Sequence, residues 1–536
     1  MNKKNIFRAV AAVAVVLPMM TSCNDFLDEL PDNRTTIDSK SKIISILTEA
    51  YPSYGYLLLN EFMSDNTDCF IKNNSNTSRF AEQVFNWEDI TESDNEDPEH
   101  VYSGCYSAIA NANQALEGFN SVAGWEQDEE LRNAYGEALL CRAYAHFLLA
   151  CEFCMPYGEH AADYLGMPYI KELETELDPK HDRGTLEELY ANIKTDLEEG
   201  LKYVGEKHLS VPKYHFNEKA AYAFATRFYL YHMEWDKAIT YATKCLGSNP
   251  TAVLRDYKDV ANLAWERETR TLHYIDESLD CNLMLQTSLG VDGMIFSYPY
   301  YYTKFSHGKN LSLHETVEAH NVWCKPELYS DFRNHFYDRP GWYQGNDFDL
   351  MTIFRVPYLF EYTDPVAGIG YPHYVYAAFT TDECLLNRAE AYILTGNNAA
   401  AVADMNTWMQ NALRNVDEQT VSSITEFYNN VKYAYSDSLN STIKKHLNPD
   451  FTIGAEGSEQ ECLLQCVLQL RRIETLFTGI RWWDVKRYGI EIPRRIINLS
   501  REVESVTDWL KKDDQRRAIQ LPQKVLDAGM EPNPRQ

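Results

Sequence analysis

The chain is short of positive charge. Its 536 residues carry 50 Lys and Arg against 79 Asp and Glu, a formal net charge of −29. So acidic a body has no general attraction for nucleic-acid backbones or anionic headgroups, although a local basic pocket remains compatible with it. Past residue 23 there is no apolar run long enough to span a bilayer. A disulfide framework is also missing. Of twelve cysteines one directly follows the leader described below, which leaves an odd number. Cys105, Cys141, Cys245, Cys384, Cys462 and Cys466 fall inside helical apolar patterns, where free cysteine acts as a small core residue. Cys151 and Cys154 match C-x-x-C, but they end a helical run and lack the strand-helix context of a redox pair. There is no Gly-rich phosphate loop and no nucleophile elbow. His314 and His320 stand six apart, whereas a zinc-protease helix needs four. Asp94-Asn95-Glu96-Asp97 lacks the calcium-loop pattern and is expected to be solvated. No carboxylate pair is singled out for glycoside hydrolysis. No enzyme chemistry, metal or cofactor is expected.

What is there begins at the N-terminus. Lys3, Lys4 and Arg8 precede an apolar run from Ala9 to Met20, the layout of a secretory signal too short for a permanent span. Met20-Thr21-Ser22-Cys23 resembles a bacterial lipobox, with Met where Leu is commoner. Cys23 is therefore the expected lipidation site. Each buried methylene of an acyl chain contributes about 0.8 kcal/mol, so several chains hold a soluble body firmly. The expected division is a signal peptide at 1–22, a lipidated tether at 23–40 and one body at 41–536.

Within the body, Leu139, Ala143, Phe147 and Ala150 recur at helical spacing and predict one apolar helix face over 137–153. Phe224, Phe228 and Tyr231 do so in 216–231, and Leu385, Ala389 and Ile393 in 382–394; 458–477 continues the pattern. Two stretches are alike. Tyr229 precedes Ala238 as Tyr392 precedes Ala401, with Met233 standing where the second copy has Gly396. A tyrosine closing one helix, a turn, and a small alanine in the next helix is tetratricopeptide logic. Because the copies are far apart in sequence, the prediction is helix pairs embedded in a larger α-rich body, with scaffold at about 41–250 and 376–490.

Between about 251 and 375 helical periodicity fades. The aromatics here, part of a complement of 36 Tyr, 23 Phe and 10 Trp, cluster at Phe296 to Tyr302, at Trp323 and at Gly341-Trp342-Tyr343. Long ordered loops and short strands are predicted, on a scaffold where binding groups commonly sit. A second loop-like stretch, 64–98, is rich in Asn, Ser and Asp and contains Trp87. A closing segment occupies about 491–536.

The sharpest motif is Glu474-Thr475-Leu476-Phe477-Thr478-Gly479-Ile480-Arg481-Trp482-Trp483-Asp484-Val485-Lys486-Arg487-Tyr488-Gly489. It resembles the E-L-x-F-E-G-x-R-W-x-D-L-x-R-x-G pattern of the SusD/RagB family, surface lipoproteins of Bacteroidetes nutrient uptake, with departures that include Thr478 and Val485. Asn24-Asp25-Phe26-Leu27-Asp28 after Cys23, the helix from Glu137 to Ala143, the two tetratricopeptide-like stretches, and Gln520-Leu521-Pro522 with Asn533-Pro534 resemble the family in the same order. Arg481 and Asp484 could belong to a site; a buried Arg–Asp contact beneath two tryptophans is the favoured reading.

The resemblance implies an all-α dominated SusD-like fold with tetratricopeptide-like helix pairs and a loop-rich insert. It further implies a non-enzymatic lipoprotein on the outer face of the outer membrane. That lipoprotein would capture oligosaccharides or polysaccharides and deliver them to a SusC-like TonB-dependent transporter. In the family a shallow site faces away from the helical bundle. By position and residue type the expected ligand contacts are Asp65, Asn66, Arg79 and Trp87 from the early loop, with Tyr298, Tyr301, Trp323 and Trp342 from the insert. A protein-interaction adaptor without a glycan site stays open, favoured if the aromatics of 296–343 prove buried. A peptide-uptake lipoprotein and a secreted glycosidase also stay open.

Overall fold

The computed structural model describes residues 37–173, 180–299, 301–435 and 439–535. The leader, Cys23 and the tether up to residue 36 lie outside the described residues. Eight helices come first: α1 (Lys40–Leu47), α2 (Leu57–Met63), α3 (Arg79–Phe85), α4 (Pro98–Gly118), α5 (Glu129–Phe153), α6 (Leu186–Tyr203), α7 (Glu218–Tyr231) and α8 (Trp235–Leu246). Four short ones follow: α9 (Tyr257–Val260), α10 (Arg267–Tyr274), α11 (Asp292–Ser297) and α12 (Lys309–Glu315). The rest are α13 (Thr381–Leu394), α14 (Asn398–Ala412), α15 (Val421–Asn430), α16 (Glu459–Glu474), α17 (Ile480–Arg487) and α18 (Gln523–Asp527). The fold is all-α dominated.

Helix starts are set by side chains that accept the free amides of the first turn. Asp97 does this for α4 with Pro98 at the first position, Asp128 for α5, Asn217 for α7 and Thr380 for α13. Thr185 and Glu188 form a capping box on α6. The long α5 departs from the one-faced helix its periodicity predicts. Every residue from Gly136 to Phe153 is buried, so its polar groups must be paired inside. Arg142 chelates Asp196 at 2.6 and 2.8 Å, and Glu137 meets His208 at 2.6 Å and His215 at 2.7 Å.

The two similar stretches are the hairpins α7–α8 and α13–α14. Met233 and Gly396 both take the left-handed turn, with φ 61° and 82°, so the methionine carries the strain its glycine counterpart avoids. Ala238 and Ala401 are fully buried at the helix contacts. Far apart in sequence, the hairpins are neighbours in space, with α8 packed on α13. Strand pairing explains this. β2 (Asn282–Leu289) runs antiparallel to β7 (Ile369–Thr380), which puts Asn282 opposite Thr380 and returns the chain to the scaffold where it left.

β6 (Leu359–Asp364) is the free edge of that three-stranded sheet. β4 (Gly341–Gln344) and β5 (Asp349–Thr352) form a two-stranded ribbon. A four-stranded sheet has the order β3 (Phe305–Ser306), β1 (Asp68–Phe70), β8 (Ile492–Ile497), β9 (Val503–Leu510). The parallel β1–β8 pairing, with Cys69 opposite Ile496, ties the start of the body to its closing segment. The 64–98 stretch is thus more regular than its composition suggests. β1 lies inside it, and Ser78 caps α3 by accepting from the Ala81 amide.

Candidate ligand-binding surface

The early polar candidates are interior. Asp65 holds Arg481 through two bonds of 2.8 Å. Asn66 accepts from Arg472 Nε at 2.9 Å and donates to Glu61 at 2.9 Å. Arg472 also reaches Glu315 at 2.9 Å, and Glu315 binds Lys445 and Arg495 at 2.8 Å each. Burial alone would push the Asp65 carboxyl up. Arg472 and Arg481 outweigh it and hold the group well below the ordinary carboxylate range. These groups spend their hydrogen bonds on one another, so the expectation that Asp65 and Asn66 contact ligand is corrected. They are the ionic joint between the segment after α2 and the helices α16 and α17.

The same joint revises the Arg481–Asp484 contact. Both residues are buried, but not together. Asp484 takes Arg471 at 2.9 and 3.0 Å and Arg487 at 3.1 Å, while Arg481 goes to Asp65.

Trp87 is buried and donates from Nε1 to the Met63 carbonyl at 2.9 Å, with the Arg494 guanidinium 3.6 Å above its ring. Trp323 is also buried, 2% exposed. Neither offers a face to solvent, which corrects both expectations. Arg79 is open and meets Glu88 at 3.2 Å. His314 and His320 converge on nothing; among the described residues no three His, Cys, Asp or Glu side chains come together as metal ligands.

The remaining aromatics are at the surface. Tyr301 is 45% exposed beside Tyr302, with ring centroids 6.4 Å apart. Trp342 and Tyr343 are consecutive on β4 and so point to opposite faces. Trp342 lies under Lys309 at 4.9 Å and Arg333 at 5.8 Å. Tyr343 faces the other way, 5.6 Å from Tyr298 and 6.1 Å from Trp265. The structure therefore joins Tyr298 to residues outside the predicted set and separates it from Trp342.

Three elements converge there. Trp265, 45% exposed, precedes α10 and is backed by buried Phe354 at 5.0 Å. Arg267 opens α10 and sets its guanidinium 5.1 Å from the Tyr298 ring. Tyr298 follows α11, and Tyr343 comes from β4. Arg270 fixes the arrangement: it donates to the Leu263 and Ala264 carbonyls at 3.1 and 3.0 Å and to Asp338 at 2.6 Å. Burial and Tyr298 push the Tyr343 phenol above its ordinary value, so it stays a neutral donor and acceptor. Half-open rings beside a guanidinium can stack on the C–H face of a ligand and hydrogen-bond its rim. The sequence signal for Trp265 was present, a lone tryptophan inside Leu263-Ala264-Trp265-Glu266-Arg267-Glu268. Nothing local tied it to Tyr298 or Tyr343.

A cavity of about 820 Å³ lies elsewhere, between α4 and α18, walled by Tyr102, Tyr106 and Met530. No helix among the described residues is long and apolar enough to cross a membrane.

Stacked helix pairs carrying a half-open aromatic surface on a loop-rich insert define a scaffold-and-insert protein. Residues 25–230 match a SusD-like family described as starch-binding, associating with outer membrane. No curated protein sequence matches the chain. Among solved structures, a SusD superfamily protein from Bacteroides thetaiotaomicron is 16% identical with a TM-score of 0.62, the match covering 94% of this chain and 100% of that one. A putative sugar binding protein from Bacteroides vulgatus is 20% identical with a TM-score of 0.62, covering 94% and 99%. A SusD superfamily protein from Bacteroides fragilis is 21% identical with a TM-score of 0.55, covering 92% and 99%. At these identities the likeness to the solved structures is one of fold. Over residues 25–230 the chain is similar to the SusD-like family, and over most of its length it shares the fold of the SusD superfamily structures.

Proposed function

We propose that this protein is a cell-surface binding lipoprotein. In this reading it captures oligosaccharides or polysaccharides and passes them to a SusC-like TonB-dependent transporter of the outer membrane, without catalysing a reaction. Acyl chains on Cys23 anchor it, facing outward. The observation that carries the reading is the Trp265, Tyr298 and Tyr343 surface with Arg267 at its edge. Rings kept half open, instead of being spent on the core, suit the C–H faces of sugars. A family description that includes starch binding and a fold neighbour described as sugar binding support the ligand class. Tyr301, Arg79 and Trp342 remain accessible for outer subsites. The adaptor reading wanted buried aromatics over 296–343; Phe296 and Trp323 are buried, but Tyr298, Tyr301, Trp342 and Tyr343 are not.

Screening the mature chain against an oligosaccharide panel, with the products analysed, tests this. Binding without cleavage is expected; cleavage of any bound sugar would make it a glycosidase, and binding of peptides alone a peptide-uptake protein. For the anchor, Cys23→Ser is expected to leave the fold intact and release the protein from membranes. Undiminished membrane retention in cells lacking the transporter would contradict it.

A further inference from the structure

Glu96, expected in a solvated loop, is 2% exposed, and Asp292 at the start of α11 is fully buried. They come from distant parts of the chain and converge at Gly290. A methyl group built on Gly290 would lie 2.4 Å from Glu96 Oε1 and 3.1 Å from Asp292 Oδ2. Only a glycine, here at φ 145°, lets both carboxylates approach the backbone so closely.

The convergence is electrically unresolved. Glu96 Oε1 accepts from the Val291 amide at 2.5 Å. Glu96 Oε2, both oxygens of Asp292 and the Tyr374 hydroxyl have no hydrogen-bond partner among the described residues. The Tyr374 hydroxyl and the Leu58 amide face Asp292 and favour its ionised form, yet neither reaches hydrogen-bond geometry. A third acid, Asp94, held by Tyr302 at 2.8 Å, adds negative charge beside Glu96 and Asp292, while the Ser288 hydroxyl faces Tyr374. Orphan buried acceptors and like charges without a counter-charge cost several kcal/mol unless a proton or a cation resolves them.

We propose that Glu96 and Asp292 hold a divalent cation of the calcium type, with the Tyr374 hydroxyl, backbone carbonyls and water completing its shell. The donors are all hard oxygens, which suit calcium and not thiophilic metals. Two carboxylates balance one divalent charge. They are fewer than an all-protein shell needs, and calcium accepts carbonyls and water for the rest. Burial raises both carboxyls, helped by Asp292 at Glu96 and by Asp94 at Asp292; carboxylates bind a cation only when deprotonated, so calcium competes with protons here. The cation would pin the segment before α4 to the turn between β2 and α11.

The test uses the mature chain, freed of metal with a chelator and titrated with calcium in a calorimeter near neutral pH. One bound calcium per chain is expected. Its affinity should fall as pH is lowered, and the melting temperature should rise with calcium concentration. Asp292→Asn and Glu96→Gln should each abolish the heat. Should Asp292→Asn fail to fold, Glu96→Gln and the pH series on the unaltered chain decide. No heat and no melting shift from calcium would overturn the proposal and leave the pair sharing a proton. Undiminished binding in the folded variants would overturn it equally.

Discussion

Trp265 lies directly against Gly341. A Cβ at that position would come 1.7 Å from Cζ2 of the indole, so the ring occupies the space a side chain would take. The close approach is what lets a tryptophan before α10 share a surface with Tyr343 two residues further along β4. Gly341→Ala must push the indole away. Sugar affinity is expected to fall about tenfold or more, the loss usual for a displaced aromatic anchor. Circular dichroism and the melting temperature should change little, because Trp265 is half exposed. Calorimetry on the variant checks this.

Asp65 and Arg481 are 416 residues apart in sequence and joined by two bonds of 2.8 Å. Asp65→Asn keeps the shape and removes the charge, leaving buried Arg481 and Arg472 short of a partner. A loss of about 3–5 kcal/mol is expected, read by denaturant titration. Any sugar affinity of the folded variant should be unchanged, which separates this structural joint from the ligand surface.

Stability should also depend on pH in a defined direction. Glu152 is fully buried, with Asn60 and Trp483 donating to Oε1 at 3.0 and 2.8 Å. Burial raises its carboxyl to about 7, more than Lys486 lowers it. A raised carboxyl binds protons in the folded state that it gives up in the unfolded one. Its stabilisation is therefore full below the ordinary value of 4.5 and lost as pH rises through about 7. Glu61 acts in the same sense, again near 7. Asp65 and Glu315 act oppositely, and their contribution is lost in acid. Melting temperature is thus expected to decline between about pH 5 and about pH 8. Glu152→Gln should flatten the decline, its advantage over the unaltered chain growing with pH. A parallel offset at all pH values would contradict this.

The helical scaffold was legible because its signals are local. Tyr229 with Ala238, Tyr392 with Ala401 and the apolar spacing in α5 can each be read within a few turns. What brings α8 against α13 was not, since it depends on β2 pairing with β7 across the whole insert. The site was half legible for a related reason. Residue type marked Tyr298 and Tyr301, but it could not tell an open ring from Trp87 or Trp323, whose burial is decided by Arg494 and by core packing. Polar type likewise placed Asp65 and Asn66 at the surface. Their partners Arg472 and Arg481 lie at the other end of the chain, where no local pattern reports them.

The proposed glycan binding depends most directly on the open rings being the ligand contacts. Calorimetric titration of a panel-identified oligosaccharide into the mature chain, beside Trp265→Ala and Tyr298→Ala, tests that. A dissociation constant raised about tenfold or more in each variant, with melting temperatures near that of the unaltered protein, is the expected result. Undiminished affinity in both variants would contradict it and move the site to another face.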